Sequence, residues 1–213
     1  TITLIRNTNI PVMGINTGRL GFLSTIATNE LDLAISSILK KEYYFDERTL
    51  LSLEMKGNPF EAYNKALNEI TIQKKDSSSM ITIHAYLDGK FLNTYWADGL
   101  IISTPTGSTA YSLSCNGPIV LPNSGNIILT PIAPHNLNVR PMVIPDDIEL
   151  TLKVEGRTEN FLVAIDSRSV TVPLVSELKI KKSRQKINLL RLKGHDYLNT
   201  LRNKLMWGVD KRN

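Results

Sequence analysis

One cysteine, Cys115, stands in a chain of 213 residues, so neither a disulfide framework nor a cysteine-based zinc site can form. The three histidines, His84, His135 and His195, are far apart and lack ligand spacing, which argues against a zinc site. No apolar run reaches the roughly 18 residues of a membrane span. Thr1 opens in mid-pattern, without the charged and apolar regions of a signal peptide. No G-x-S-x-G elbow occurs, and no glycine-rich loop has Walker A spacing with its lysine. Twelve glycines and ten prolines are an ordinary share, which excludes a fibrous or low-complexity chain. A soluble, cytoplasmic protein is the expectation.

What is present is enough for a sizeable core: 42% of residues are hydrophobic and 21% charged. The charge is local. Against 20 acids stand 25 bases, a net +5. Residues 178–195 hold seven of those bases and no acid, so the remainder carries 18 bases and 20 acids. Within that segment Leu178 and Ile180 alternate with Lys179 and Lys181, and Ile187, Leu189 and Leu192 with Asn188, Arg191 and Lys193. The plainer reading is two strands with a solvated basic face; the other is attraction for a polyanion.

Periodicity divides the chain. Residues 2–5 end an apolar segment, Pro11–Ile15 reads as a short strand, and Asn16–Leu23 as a glycine-punctuated loop. Leu31, Ala34, Ile35, Ile38 and Leu39 recur at helical spacing, capped by Thr28 or Asn29 and ending near Lys40-Lys41. Strands follow at 49–56, 67–73, 80–87 and 90–96, with Asp88-Gly89 as a two-residue hairpin turn. Further strands are expected at 148–154, 161–165, 169–172, 177–182 and 187–193, giving a β-sandwich-like body. Asp196–Trp207 returns to helix, with Tyr197, Leu198, Leu201 and Leu205 on one side. The fold class is α+β. Residues 1–45 read as the end of an α/β domain, 46–194 as a mostly antiparallel, many-stranded β domain, and 195–213 as a helix packing back on the first part.

Four segments hold candidate chemistry. Asp98–Ser114 runs a buried strand into a turn of small hydroxyl residues around Gly107, then into a short helix. Such a turn presents backbone N–H groups and hydroxyls to an anion or nucleotide, or simply caps the helix. Asn68-Glu69 places an amide beside a carboxylate, a pair able to hold two ribose hydroxyls or to sit at an exposed strand edge. Leu129–Pro141 carries three prolines that fix an extended path. His135 within it reads as a structural loop residue before an acid/base group. Asp166-Ser167-Arg168 reads as a strand turn. Cys115 reads as a buried small hydrophobe.

Taken in order, these segments resemble the NAD kinase family. Its N-T-G-x-L-G-F loop is similar to Asn16–Phe22 and its Asn-Glu pair to Asn68-Glu69. Its D-G-[LV]-[IV]-x-[ST]-T-P-T-G-S-T-A-Y-S motif is similar to Asp98–Ser112, and its T-P-[ILM]-x-P-H-x-[LI]-x-x-R-P motif to Thr130–Pro141. The C-terminal [FY]-x-x-x-L-x-x-K-L-x-W pattern is similar to Tyr197–Trp207. Five blocks in the same order cover essentially the whole chain.

The resemblance implies ATP-dependent phosphorylation of the adenosine-ribose 2′-hydroxyl of NAD, giving NADP, with a divalent cation (Mg or Mn) accompanying ATP. It implies that Asn68 and Glu69 hold the ribose hydroxyls, and that Thr109 and Ala110 lie against the adenine with Tyr111 as a flat wall. Asp98 and Ser114 would contact the dinucleotide further along, with Ser112 and Leu113 between them in the binding set. Ala133 would reach NAD across a subunit interface; Asp166 and Arg168 are weaker candidates near the same cleft. No residue is expected to ligate the metal. Members form homodimers or homotetramers; neither nucleic acid nor membrane is an expected partner. One departure matters: the family's G-G-D-G-T motif, whose Asp is the expected general base, does not occur in these 213 residues. The expectation is a piece of a longer protein with that Asp upstream of Thr1. A lipid or sphingoid kinase of the same superfamily, or a non-catalytic dinucleotide-binding module, are the alternatives.

Overall fold

Alternation of apolar and polar side chains sets the architecture. Ile81, Ile83 and Ala85 are buried, while Thr82, His84 and Tyr86 between them face outward. The computed structural model describes residues 2–207 except 7, 19, 20, 25, 61, 62, 77, 78 and 195. Arg19 and Leu20 of the N-T-G loop, and His195, therefore lie outside the described residues.

The elements in chain order begin with α1 (Ile2–Ile5), β1 (Ile15–Asn16), β2 (Ile26–Ala27), α2 (Leu31–Leu39) and β3 (Tyr43–Met55). Next come β4 (Lys65–Ala66), β5 (Glu69–Lys74), β6 (Ile81–Leu87), β7 (Lys90–Ala97) and β8 (Gly99–Ser103). A 3₁₀ turn at Thr106–Thr109 leads to α3 (Tyr111–Ser114), then β9 (Asn126–Ile132), β10 (Met142–Pro145) and β11 (Leu150–Glu155). The chain closes with β12 (Asn160–Ile165), β13 (Arg168–Pro173), β14 (Glu177–Leu192) and α4 (Tyr197–Leu205).

Two compact units result. One is built from Arg48–Lys186 with the N-terminal residues, the other from Thr8–Glu47 with the segment that starts at Ile187. The chain enters the Arg48–Lys186 segment inside β3 and leaves it inside β14. In the larger unit, two six-stranded sheets run in the orders β10-β9-β8-β5-β12-β13 and β4-β3-β14-β11-β6-β7. Ile70, Ile72, Leu100, Ile102 and Phe161 of the first sheet share one core with Leu51, Leu53, Ile83, Leu152 and Ile180 of the second. This is the expected sandwich, closed by burial of both inner faces. Asp88 and Gly89 turn β6 into β7 with φ of +47° and +77°, the left-handed pair that a two-residue hairpin requires.

The basic segment is one continuous strand, where the sequence pattern predicts two; residues 177–192 contain neither glycine nor proline to break it. Three of its lysines are paired: Lys181 with Glu54 of β3 at 2.6 Å, and Lys182 with Asp146 at 2.8 Å and Lys179 with Glu149 at 3.8 Å, both in the turn between β10 and β11. For these three the solvated-face reading is sufficient. Residues 129–132, expected as extended loop, are the last part of β9.

In the smaller unit β1 and β2 pair in parallel, Ile15 opposite Ile26. The strand expected at 11–15 reduces to a bridge from Val12 to Leu189 and the two residues of β1. A 3₁₀ turn at Thr28–Glu30 precedes α2, and the Glu30 carboxylate, not Thr28 or Asn29, accepts the Ala27 N–H at 2.8 Å. Ala34 of α2 joins Ile26 and Leu192 in a small core, so Ile35 and Leu39 of the expected apolar face stay exposed. Arg191 pairs with Asp46 at 3.3 Å and donates to the Leu23 carbonyl at 2.9 Å. Asp196 caps α4 by accepting the Leu198 N–H, and Leu201 is its buried contact.

Phe161 is fully buried between the sheets, whereas Val175 is 96% exposed. Phe161→Ala is expected to cost about 3–5 kcal/mol. Val175→Ala is expected to change stability by less than about 0.5 kcal/mol. Equilibrium denaturation of the two variants checks the difference.

Candidate functional site

The site grows from the outer face of the first sheet. Ile70, Ile72, Leu100 and Ile102 point to the core, so Glu69, Thr71 and Gln73 of β5, with Ser103, Ile101 and Gly99 of β8, point away from it. The register places these in facing pairs, Glu69 with Ser103, Thr71 with Ile101 and Gln73 with Gly99. The Thr104–Ser114 segment folds back over this face. Its helix α3 is tied to β9 by a 2.8 Å hydrogen bond between Ser112 Oγ and Thr130 Oγ1.

The turn is locked onto the chain before β5. The Asn68 carbonyl accepts the Thr104 N–H at 2.9 Å and the Thr104 hydroxyl at 3.2 Å. Thr104 Oγ1 also donates to the Leu67 carbonyl and accepts the Gly107 N–H at 3.1 Å. A Cβ on Gly107 would lie 2.1 Å from the Asn68 oxygen, so only glycine allows this approach. The Ser108 hydroxyl donates to Pro105 and accepts the Val120 N–H, and Thr109 Oγ1 donates to Thr106. Arg48, buried at the start of the larger unit, donates to Thr106 Oγ1 at 3.2 Å.

Two ends of a strip follow. At one end Glu69 is 9% exposed, and its Oε2 finds no hydrogen-bond partner among the described residues. Burial pushes its carboxyl up to about 7, the nearby Asp166 adds to the rise, and the Tyr111 backbone N–H opposes it. At the other end Asp98 pairs with Lys74 at 2.7 Å. Its N–H donates to the Ile132 carbonyl, and its own carbonyl accepts the Lys74 N–H. Tyr111 joins the ends: its backbone meets Glu69, and its hydroxyl accepts from Gln73 Nε2 at 3.1 Å. Four steps along β8 separate Ser103 from Gly99, about 14 Å at about 3.4 Å per residue.

The other residues singled out from sequence fall as follows. Thr109 and Ala110 are half-buried at the end of the 3₁₀ turn, Leu113 is half-buried on α3, and Ser114 is exposed. Ser112 is fully buried, its hydroxyl turned to Thr130. Ala133 lies one residue past β9 with a left-handed φ of +43°, a strained choice for alanine, next to the residue that receives the Asp98 N–H. Asp166 and Arg168 turn their side chains onto the backbone around residues 63–69. His135 is exposed and its backbone N–H donates to Trp96. Cys115, expected buried, is half-buried at the end of the single-turn α3, and burial raises its thiol pKa. Gln73 and Lys74 were missed; the period of two from Glu69 marks Gln73 as facing the same way.

A mostly antiparallel sheet pair with few helices, carrying a buried carboxylate and a hydroxyl-rich turn on one face, makes this an α+β protein. Residues 67–192 match the model of the ATP-NAD kinase C-terminal domain. The chain is 54% identical over 213 residues to an NAD kinase of Flavobacterium psychrophilum, covering 99% of this chain and 72% of that protein. It is 53% identical over 211 residues to an NAD kinase of Cytophaga hutchinsonii, covering 99% and 72%. Among solved structures, yeast NADH kinase complexed with NADH superimposes with a TM-score of 0.85 at 27% identity, over 96% of this chain and 61% of that one. An NAD kinase from Archaeoglobus fulgidus in complex with ATP gives 0.75 at 28% identity, over 92% and 74%. The chain belongs to the NAD kinase family. It is an enzyme that phosphorylates NAD to NADP.

The Glu69 carboxyl separates stability from function. Its pKa rises from 4.5 to about 7 on folding, so the folded state holds a proton that the unfolded state has released. Stability attributable to this group is therefore lost as pH rises from about 4.5 to about 7, a cost on the order of 3 kcal/mol. Glu69→Gln is expected to be more stable than the parent at pH 8 and equal to it near pH 4. Denaturant titrations at the two pH values measure this.

Proposed function

We propose that the strip from Glu69 to Asp98 is the NAD site of this kinase. In this reading the adenosine ribose sits at Asn68 and Glu69, and the rest of the dinucleotide extends past Tyr111 and Ser114 to Asp98. The observation that carries it is the Glu69 Oε2, buried without a donor among the described residues. A buried carboxylate oxygen needs a hydrogen-bond donor, and a ribose hydroxyl supplies one. The Asn68 backbone is pinned through both its N–H and its carbonyl, while the residue remains half-exposed for its amide to meet the second hydroxyl. Thr109 and Ala110 flank the adenine, with Leu113 and Ser112 supporting the helix behind.

The reacting 2′-hydroxyl is then held in place by binding groups, and positioning does most of what phosphoryl transfer from ATP asks of a protein. The general base is assigned to none of the three carboxylates here. Asp98 is paired with Lys74, Asp166 accepts backbone N–H groups, and Glu69 binds the ribose. The base remains the Asp of the family's G-G-D-G-T motif. A divalent cation (Mg or Mn) accompanies ATP in this reading. Among the described residues no group of three His, Cys, Asp or Glu side chains could hold a metal ion, so these residues do not form a cage for it. No described helix is long and apolar enough to cross a membrane. A cytoplasmic homodimer or homotetramer, with Ala133 of one copy reaching the NAD of another, completes the proposal.

Calorimetric titration with NAD, beside an NADP-forming assay with ATP and Mg²⁺, tests it. Asp98→Ala is expected to weaken NAD affinity about tenfold or more, a loss of about 1.4 kcal/mol. Unchanged affinity would remove Asp98 from the site.

A further inference from the structure

The turn between β12 and β13 acts on a segment about a hundred residues away. Leu67 and Asn68 precede β5, so their N–H groups have no place in its ladder and need other acceptors. Asp166 supplies them. Its Oδ2 accepts the Leu67 N–H at 3.0 Å, and its Oδ1 accepts the N–H groups of Asn68 at 2.8 Å and Glu69 at 3.2 Å. Its own N–H donates to the Glu69 carbonyl at 3.0 Å. Two residues on, Arg168 donates to the carbonyls of Tyr63 at 2.6 Å and Lys65 at 3.1 Å. Its guanidinium lies 5.8 Å from the Phe60 ring centre and 5.7 Å from that of Tyr63.

We infer that Asp166, braced by Arg168, is a positioning residue for NAD: its carboxylate gathers three successive amides and so fixes the direction in which Asn68 and Glu69 present their side chains. The inference rests on the reading that Asn68 and Glu69 hold the ribose. A carboxylate accepting several N–H groups is charge-assisted and strong, and it sets a backbone more tightly than neutral partners do. Asp166 adopts φ of +51°, a left-handed conformation that puts its carboxylate and its N–H on the same segment. Asp166 also opposes ionisation of Glu69, so the positioning contact and the electrostatics of the binding carboxyl are coupled.

The test compares Asp166→Asn with Asp166→Ala by titration with NAD and with ATP, and by steady-state assay. The carboxamide oxygen of Asn can still accept the two N–H groups that Oδ1 takes, so it is expected to rescue part of the loss. Asp166→Ala is expected to weaken NAD about tenfold or more and ATP less than about twofold, raising KM for NAD more than it lowers kcat. Asp166→Asn is expected to fall between Ala and the parent. Equal losses for NAD and ATP, or no loss, would overturn the assignment. If Asp166→Ala does not fold, Arg168→Lys, which loses the two-pronged hold on Tyr63 and Lys65, is expected to show a smaller NAD-selective loss, and its absence overturns the assignment equally. Glu69→Gln separates the two layers. If that variant binds NAD normally, the ribose reading fails; if it binds weakly while the Asp166 and Arg168 variants bind normally, only the positioning role fails.

Discussion

Two segments some forty residues apart meet at the carbonyl oxygen of Asn68. Thr104 hydrogen-bonds to it through its N–H, and Gly107 approaches so closely that any side chain there would strike it. Remove that contact and the hydroxyl-rich turn no longer lies over β5. Tyr111 would then lose its place beside Glu69, and α3 its register on β9. The glycine and hydroxyl residues of the turn act mainly on the protein itself: Thr104, Ser108 and Ser112 all direct their hydroxyls inward. What they build is a surface on which the Glu69 carboxylate is buried, Asn68 is half-exposed and the Tyr111 ring is exposed.

Glu69 shows that the surface is held at a cost. Burial and the neighbouring Asp166 both disfavour its charge. A protein selected only for stability would replace such a group. Its place in this frame, with one oxygen unpartnered among the described residues, is what a role other than stability would explain.

Much of this was legible in the sequence because it is local. Period-two alternation located β5, β6, β7, β11 and β12, and Asp88-Gly89 announced its hairpin. The Asp98–Ser112 block and Asn68-Glu69 were marked as site candidates by their resemblance to the family's motifs, and the structure brings Glu69 opposite Ser103 and beside Tyr111. What was illegible is long-range. Nothing near residue 166 says that its carboxylate will collect the amides of 67–69, since that depends on β12 pairing with β5. The continuity of β14 was hidden because its two apolar patterns differ in phase, and the prolines of 129–141 masked the strand that ends at Ile132. Nor does a lysine-rich stretch reveal the carboxylates far away in sequence, Glu54 and Asp146, that pair with Lys181 and Lys182.

The strip's two ends are fixed by the two ends of one strand. β8 has five residues, with Ser103 opposite Glu69 and Gly99 opposite Gln73, beside Asp98. The strand therefore works as a ruler. The span from the Glu69–Ser103 pair to the Gln73–Gly99 pair is set by backbone geometry and does not vary with the side chains carried between them. Changing that length requires adding residues to β5 and β8 together, because they are paired along all five positions.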